Sequence, residues 1–139
     1  MLRFITIAIP VFFLAAGVAC GGRHVDRRAY VKANEEVFAA LPRFPGSRLR
    51  QVTSSPRSAG EDKPTVGYVT RFELRLPERS TLATVVRFYT RGLRPRWRLA
   101  ETLAGPVLNF RRRRALVSVN LENFPHGSLE IAVDHAFYA

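Results

Sequence analysis

Alternation within the segment from Val66 to Leu76 constrains the fold of this chain more than any other feature. The uncharged residues Tyr68, Thr70, Phe72, Leu74 and Leu76 occupy even positions, and the charged residues Arg71, Glu73 and Arg75 occupy odd ones. Because the side chains of a β-strand point alternately to opposite faces, the pattern predicts a strand with one buried and one solvated face. The fold must therefore contain a sheet that other elements cover on one side.

Two other segments have helical periodicity. Between Ala29 and Leu41 the apolar residues recur at helical spacing, and Pro42 ends the segment. A second helix begins after Ser80 or Thr81, either of which can cap it. Its apolar stripe comprises Leu82, Val85, Val86, Tyr89 and Leu93. Tyr89 and the later Trp97 are therefore predicted to be core residues.

The remaining segments supply further strands. An edge strand is predicted from Pro45 to Thr53, a loop from Ser54 to Pro64, and three more strands over Val107–Arg112, Arg114–Glu122 and Ser128–His135. Short links between consecutive strands imply antiparallel pairing. We therefore predict an α+β fold, a two-layer sandwich in which an antiparallel sheet of about five strands carries two helices on one face. The opposite face is expected to be polar, and either solvated or a docking surface.

The beginning of the chain follows the pattern of an export signal. Arg3 precedes an apolar run from Phe4 to Ala19, and small residues lead to Cys20, the only cysteine. The run is shorter than the roughly 18 to 20 residues that span a bilayer, and Pro10 interrupts it. The pattern predicts a signal peptide over residues 1–19.

The segment from Leu14 to Gly22 resembles the lipobox of bacterial lipoproteins. The resemblance implies that residues 1–19 are removed and that Cys20 carries lipid, palmitate among its acyl groups. The protein would then be anchored to the outer face of the cell membrane. Lipoboxes usually carry Leu where Gly17 stands here, and ordinary signal peptidase would also cut after Gly17-Val18-Ala19. That alternative leaves Cys20 as a free thiol.

The rest of the chain is predicted to be a short tether and one domain. Residues 20–28 are small, polar and basic, with Asp26 as a possible helix cap, and residues 29–139 form a single α+β domain. This part resembles the small uncharacterised lipoproteins of GC-rich bacteria in three features: a helix ending in Leu41-Pro42, the strand Gly67 to Phe72, and the helix Val85 to Trp97. The resemblance implies no particular activity.

The charge is large and almost entirely arginine. The chain has 22 Lys and Arg against 11 Asp and Glu, a formal net charge of +11, and only Lys32 and Lys63 are lysines. Arginine favours bidentate contact with phosphates and carboxylates, although GC-rich coding would also place arginine wherever a surface cation serves. The charge would suit nucleic acid, but the compartment that the leader predicts excludes it.

Arg111, Arg112, Arg113 and Arg114 form the sharpest local feature. They lie between two predicted strands, so the middle pair is expected to form the turn of a hairpin. The four are candidate contacts to an anionic surface, each adding about 1 kcal/mol near anionic lipid. The alternative is a solvated turn whose charges discourage edge-to-edge aggregation.

The sequence offers no established catalytic motif, and we predict no metal and no cofactor. The histidines, His24, His126 and His135, are expected at the surface. The leading hypothesis is a non-enzymatic binding or accessory module, with an unknown envelope protein or anionic polymer as its partner. Two alternatives are an envelope hydrolase with a site assembled from scattered Ser, His and Asp, and a domain that binds anionic lipid or polymer through Arg111–Arg114.

Overall fold

The computed structural model describes residues 25–100 and 106–135. The predicted signal peptide, Cys20 and His24 lie outside these ranges. The described residues form helices α1 (Arg27–Ala39) and α2 (Leu82–Leu93), strands β1 (Arg48–Ser58), β2 (Thr65–Arg75), β3 (Arg98–Leu99), β4 (Val107–Arg112), β5 (Ala115–Asn120) and β6 (Ser128–His135), and a 3-10 helix (Phe124–His126).

All six strands belong to one antiparallel sheet. Their order across the sheet is β1-β2-β6-β5-β4-β3, so the last strand of the chain lies in the middle, between β2 and β5. The predicted α+β class and the antiparallel pairing are confirmed, with six strands rather than about five. The additional strand is β3, which pairs Arg98 with Arg111 and Leu99 with Phe110.

The predicted loop from Ser54 to Pro64 is wrong in its first half, because β1 continues through Pro56 to Ser58. The strand pairs with β2 along this length, with Ser54 opposite Thr70 and Arg57 opposite Gly67. β1 is an edge strand, where a proline is tolerated because one side of the strand needs no backbone donor. Its side chains are mostly exposed, so it lacks the hydrophobic alternation by which a strand is recognised.

The core lies against the face of the sheet that the alternation of β2 predicts. Phe72 and Leu74 of β2 are almost completely buried, together with Ile131 of β6 and Val117 of β5. The Phe38 ring of α1 stacks on Phe72 with the ring centroids 3.8 Å apart. The buried side chains of α2 belong to the same apolar cluster.

Helix α1 begins at a cap and carries one buried polar residue. The Asp26 carboxylate accepts hydrogen bonds from the backbone N–H groups of Arg28 and Ala29, which confirms its predicted role as a cap. Asn34 is completely buried and bonds to backbone groups of Tyr68 and His135, on β2 and β6. The amide thus fixes the position of α1 on two strands of the sheet.

Helix α2 begins at Thr81, whose hydroxyl accepts a hydrogen bond from the Thr84 backbone N–H in a capping box. Val85, Tyr89 and Leu93 are fully buried, and Trp97 follows in the turn after the helix with 8% of its surface exposed. The prediction that Tyr89 and Trp97 are core residues is confirmed. The turn places Arg96 and Trp97 beside the C-terminal half of α1.

Candidate functional site

The arginine run forms the end of the hairpin that joins β4 to β5. Arg112 pairs with Ala115, so the turn consists of Arg113 and Arg114. The prediction that Arg112 and Arg113 form the turn is therefore wrong by one residue. The observed register instead sets Phe110 opposite Val117, and both side chains are completely buried in the core.

Arg113 has a backbone conformation that arginine rarely adopts. Its φ angle is 49°, in the left-handed region where a side chain is strained and glycine is favoured. Such strain costs on the order of 1 kcal/mol and persists where the surrounding structure imposes it. Here the paired strands on either side of the turn impose it, and the result is a guanidinium at the tip of the hairpin.

The hairpin tip forms one side of a groove of about 540 Å³, which we call the arginine groove. The C-terminal half of α1, the turn after α2 and the end of β6 form its other sides. Its lining residues are Ala33, Glu36, Val37, Ala40, Leu41, Arg96, Trp97, Arg112, Arg113, Arg114, Ala115 and His135.

Arg111 is placed apart from the other three arginines of the run. Successive residues of a strand point to opposite faces, so Arg111 and Arg112 diverge, and Arg111 is not among the residues that line the groove. The fold instead adds Arg96, which lies 15 or more residues earlier in the chain. Nothing in the sequence around Trp97 indicates that Arg96 lies near the hairpin.

The groove is lined by both charged and apolar side chains. Four guanidinium groups line it against one carboxylate, that of Glu36, which lies 3.9 Å from the Lys32 ammonium at an exposed position. Among residues 25–100 and 106–135, the ion pairs do not involve Arg96, Arg112 or Arg113. Several arginines that converge on one concave surface raise the local concentration of anions.

The opposite face of the sheet is polar, as predicted, and part of its charge is paired. Cross-strand ion pairs join β1, β2 and β6: Arg50 with Glu73 at 3.5 Å, Arg57 with Asp134 at 2.9 Å and Arg71 with Glu130 at 3.7 Å. Burial raises the pKa of the Asp134 carboxyl above its usual value, and Arg57 opposes part of the shift. On the same face Arg48 lies opposite Arg75, and Arg98 lies opposite Arg111, and the ion pairs of the described residues include none of these four. The arginine groove therefore differs from this face in being concave.

The histidines do not form a joint site. His126 is exposed in the 3-10 helix, whereas His135 is half-buried at the far end of β6 and lines the groove. At about 3.3 Å per residue, the eight residues of β6 keep them more than about 20 Å apart. Within the described ranges, no group of three or more potential ligands could hold a metal ion.

The groove also bears on the hydrolase hypothesis. Its described lining contains one histidine and one carboxylate, and no serine, threonine or cysteine. A triad needs a hydroxyl or thiol nucleophile within hydrogen-bond reach of its base. The arginine groove therefore does not support a serine-based site.

Comparison of the chain with protein-family models, with curated proteins and with solved structures gives no match in any of the three. Neither α1 nor α2 is long and apolar enough to cross a membrane, and the described residues contain no other candidate span.

Proposed function

We propose that this protein is a lipid-anchored cell-envelope lipoprotein that acts as a non-enzymatic binding module and holds an anionic group in the arginine groove. The observation that carries the proposal is the convergence of Arg96, Arg112 and Arg113 on one concave surface. The leader supports the location, because Cys20 would carry the lipid at the outer face of the membrane.

Arginine chemistry favours an oxyanion as the bound group. A guanidinium presents several N–H donors in a planar fork that matches a phosphate or carboxylate, and such charge-assisted hydrogen bonds are about twice as strong as neutral ones. The strained turn at Arg113 adds support, because strained backbone is concentrated at sites that bind ligands. A merely solvated turn would be served equally well by glycine or asparagine at that position.

The proposed anchor is compatible with a groove that faces the membrane. We take both helices to lie on one face of the sheet in a two-layer sandwich, which leaves the ends of the sheet accessible. Six residues lie between Cys20 and Arg27, and the seven Cα–Cα steps can span up to about 25 Å when the chain is extended. Helix α1, with 13 residues, is about 20 Å long, so the tether can reach past it. A stable anchor needs more than one acyl chain.

The anchor is tested with the full chain expressed in a bacterium. Wild-type protein is expected in the membrane fraction and to incorporate labelled palmitate, whereas Cys20→Ser is expected to incorporate none. Labelling of wild-type Cys20 by a thiol reagent, without palmitate, would instead identify a free thiol and overturn the lipoprotein assignment.

Anion binding is tested with inorganic pyrophosphate and the full chain reconstituted in phosphatidylcholine vesicles. Trp97 is the only tryptophan and lines the groove, so its fluorescence reports occupancy. We expect the double variant Arg112→Ser, Arg113→Ser to bind pyrophosphate at least tenfold more weakly, a loss of about 1.4 kcal/mol.

The matched control is Arg87→Ser, Arg91→Ser, which removes the same charge from exposed positions of α2 outside the groove. Equal losses in the two double variants would mean that pyrophosphate responds only to net charge, and the proposed site would be wrong. A further variant, Arg112→Lys, Arg113→Lys, keeps the charge and removes the fork. Weaker binding by this variant would support direct bidentate contact.

A further inference from the structure

We infer that the end of the sheet that carries the β4–β5 hairpin is a docking surface for the anionic lipid headgroups of the bilayer in which the protein is anchored. The arginines on both faces of the hairpin contact that bilayer. This inference rests on the proposed function, because it needs the lipid anchor, and it adds the source of the anionic group, which is a headgroup phosphate.

The hairpin carries arginines on both faces of the sheet. Arg112 lines the arginine groove, on the side where α1 lies. Successive residues of a strand point to opposite faces, so Arg111 points away from the groove, to the face where it lies opposite Arg98 of β3. The sheet separates these two sets of arginines, and a small ligand in the groove contacts only one of them. A planar anionic surface laid against the end of the hairpin contacts both.

Arg98 and Arg111 form a pair that is unfavourable without an anion. Both are exposed and lie directly opposite each other, and the ion pairs among residues 25–100 and 106–135 include neither. Like charges directly opposed across two strands are destabilising. A phosphate that accepts hydrogen bonds from both guanidinium groups offsets the repulsion, and an anionic membrane surface presents many such phosphates. The pair therefore favours contact with the membrane.

The tether leads to the same end of the sheet. β2 begins there at Thr65, and β6 ends there at His135, which pairs with Ala115, the first residue of β5. The Tyr30 hydroxyl donates to the Val66 carbonyl at 3.1 Å, so the first turn of α1 also lies at this end. Neighbouring strands are about 4.8 Å apart, which places the β4–β5 hairpin roughly 10 to 15 Å from the start of β2. The anchor therefore holds the hairpin end near the bilayer.

The charge at this end is uneven, which sets the tilt of the domain. The β1–β2 connection, at the other edge of the sheet, carries Glu61 and Asp62 against Lys63. The side of β3 and β4 carries Arg98 and the arginines of the hairpin. Because an anionic surface attracts the second group more strongly, the β4–β5 hairpin lies closer to the lipid than the β1–β2 connection does.

Energy transfer from Trp97 measures the docking. Trp97 is the only tryptophan and directly precedes Arg98, so energy transfer to dansyl groups on the lipid headgroups reports the distance of the hairpin end from the bilayer. The full chain is reconstituted in phosphatidylcholine vesicles, with and without phosphatidylglycerol at about one fifth of the lipid. We expect more energy transfer with phosphatidylglycerol, and we expect concentrated sodium chloride to remove this gain.

The two cross-strand arginine pairs provide matched variants. Arg98→Ser, Arg111→Ser removes the pair at the docking end, and Arg48→Ser, Arg75→Ser removes the equivalent pair of the same face. Through the pairing of β4, β5, β6 and β2, Arg111 is level with Val69. Arg75 is therefore about 20 Å further along the strands, beyond the screening length of about 8 Å at physiological salt.

The expected effect follows from the number of arginines removed. Each arginine near anionic lipid strengthens docking about fivefold, so Arg98→Ser, Arg111→Ser should dock about 25-fold more weakly and lose most of the gain in energy transfer. Arg48→Ser, Arg75→Ser should keep it. Arg98→Gln, Arg111→Gln serves the same purpose as the first variant if that variant fails to fold, as judged by thermal unfolding.

The outcomes separate this inference from the proposed function. Equal losses in the two serine variants would mean that the bilayer responds only to net charge, and the inference would be overturned. If phosphatidylglycerol gives no gain but Arg112→Ser, Arg113→Ser still weakens pyrophosphate binding, the groove takes a free anion and only the inference is overturned. If neither phosphatidylglycerol nor these arginines matter, both proposals are wrong.

A soluble anionic polymer is distinguished by polyphosphate, titrated against the protein in phosphatidylcholine vesicles. If Arg98→Ser, Arg111→Ser weakens polyphosphate binding and leaves the gain with phosphatidylglycerol intact, the partner is a soluble polymer and the inference is overturned. If no energy transfer occurs in either kind of vesicle, the protein is not anchored, and the proposed location fails together with the inference.

Discussion

Asn34 is the residue whose side chain does most to join a helix to the sheet. Its Nδ2 donates to the Tyr68 carbonyl at 2.8 Å and the Thr70 hydroxyl at 3.1 Å, and its Oδ1 accepts from the His135 N–H at 2.9 Å. Asn34→Ala would remove the hydrogen bonds to the Tyr68 carbonyl and from the His135 N–H, whereas the Thr70 hydroxyl keeps its hydrogen bond with Ser54. A polar group left unsatisfied in the interior costs about 1 to 3 kcal/mol. We expect the free energy of unfolding in urea to fall by about 3 kcal/mol.

The control for this prediction is Asn109→Ala. The Asn109 side chain also accepts a hydrogen bond, from the Ser118 hydroxyl at 2.6 Å, but both residues are only half-buried. Water can replace the lost partner there, so we expect a loss below about 1 kcal/mol. Equal losses at the two positions would show that burial of the Asn34 amide is not what makes it important.

Tyr89 gives the protein a defined sensitivity to alkali. Burial raises the pKa of its phenol from 10.0 to about 12. Because the folded pKa is above the unfolded one, the contribution of Tyr89 is complete below pH 10 and is lost as the pH rises through 12. We expect this residue to account for a loss of about 2 kcal/mol between those values. Urea titrations of Tyr89→Phe should lack that part of the loss, and an unchanged pH profile would contradict the assignment.

At the scale of the elements, the sequence predicted the helices and strands that bury an apolar face, and it missed the last five of the eleven residues of the exposed strand β1. The alternation in β2 and the stripe in α2 are hydrophobic patterns, and both elements lie within a residue or two of their predicted limits. Most of β1 is exposed, and the segment from Ser54 to Ser58 has the composition of a loop. This segment is a strand because it pairs with β2, and local composition does not predict such a long-range interaction.

Gly67 marks a place where three elements approach one another closely. A Cβ atom there would lie 3.0 Å from Tyr30 Cε1 and 3.1 Å from Arg57 Nη2. Gly67→Ala would therefore push the Tyr30 ring of α1 or the Arg57 side chain of β1 from its position, and Arg57 forms the ion pair with Asp134. We expect a loss of about 1 to 2 kcal/mol in the free energy of unfolding, since overpacking typically costs this much. Gly60→Ala, with no atom closer than 3.4 Å, should be nearly neutral.

The β4–β5 hairpin should show opposite effects on stability and on binding. Arg113→Gly relieves a φ of 49° and should raise the free energy of unfolding by about 0.5 to 1 kcal/mol. It also removes a guanidinium from the groove, so we expect weaker binding of pyrophosphate in the Trp97 assay. Arg112→Gly is the control, because Arg112 is in a strand and glycine there is destabilising. A loss of stability in Arg113→Gly would show that the turn is not strained.

At the scale of the whole molecule, the candidate site is assembled from segments far apart in the chain. Residues from α1, the turn after α2, the β4–β5 hairpin and the end of β6 meet at one groove. The sequence singled out Arg111–Arg114 because four charges in a row are visible locally. It could not indicate that Arg96, Glu36 and His135 join three of them, because the strand order β6-β5-β4 that brings these segments together depends on pairing across the whole sheet.

The net charge of +11 makes salt a probe of both stability and binding. Sodium chloride should stabilise the protein by screening repulsion among its many arginines. Sodium sulfate at equal ionic strength should stabilise it more, through exclusion from the surface and through binding of a tetrahedral dianion in the arginine groove. Thermal unfolding measures the additional stabilisation by sulfate over chloride. We expect the groove variant Arg112→Ser, Arg113→Ser to lose part of this additional stabilisation, and the control variant Arg87→Ser, Arg91→Ser to keep it. The additional stabilisation that remains in the groove variant measures the exclusion of sulfate from the protein surface. Additional stabilisation of the same size in both double variants would mean that sulfate has no site in the groove.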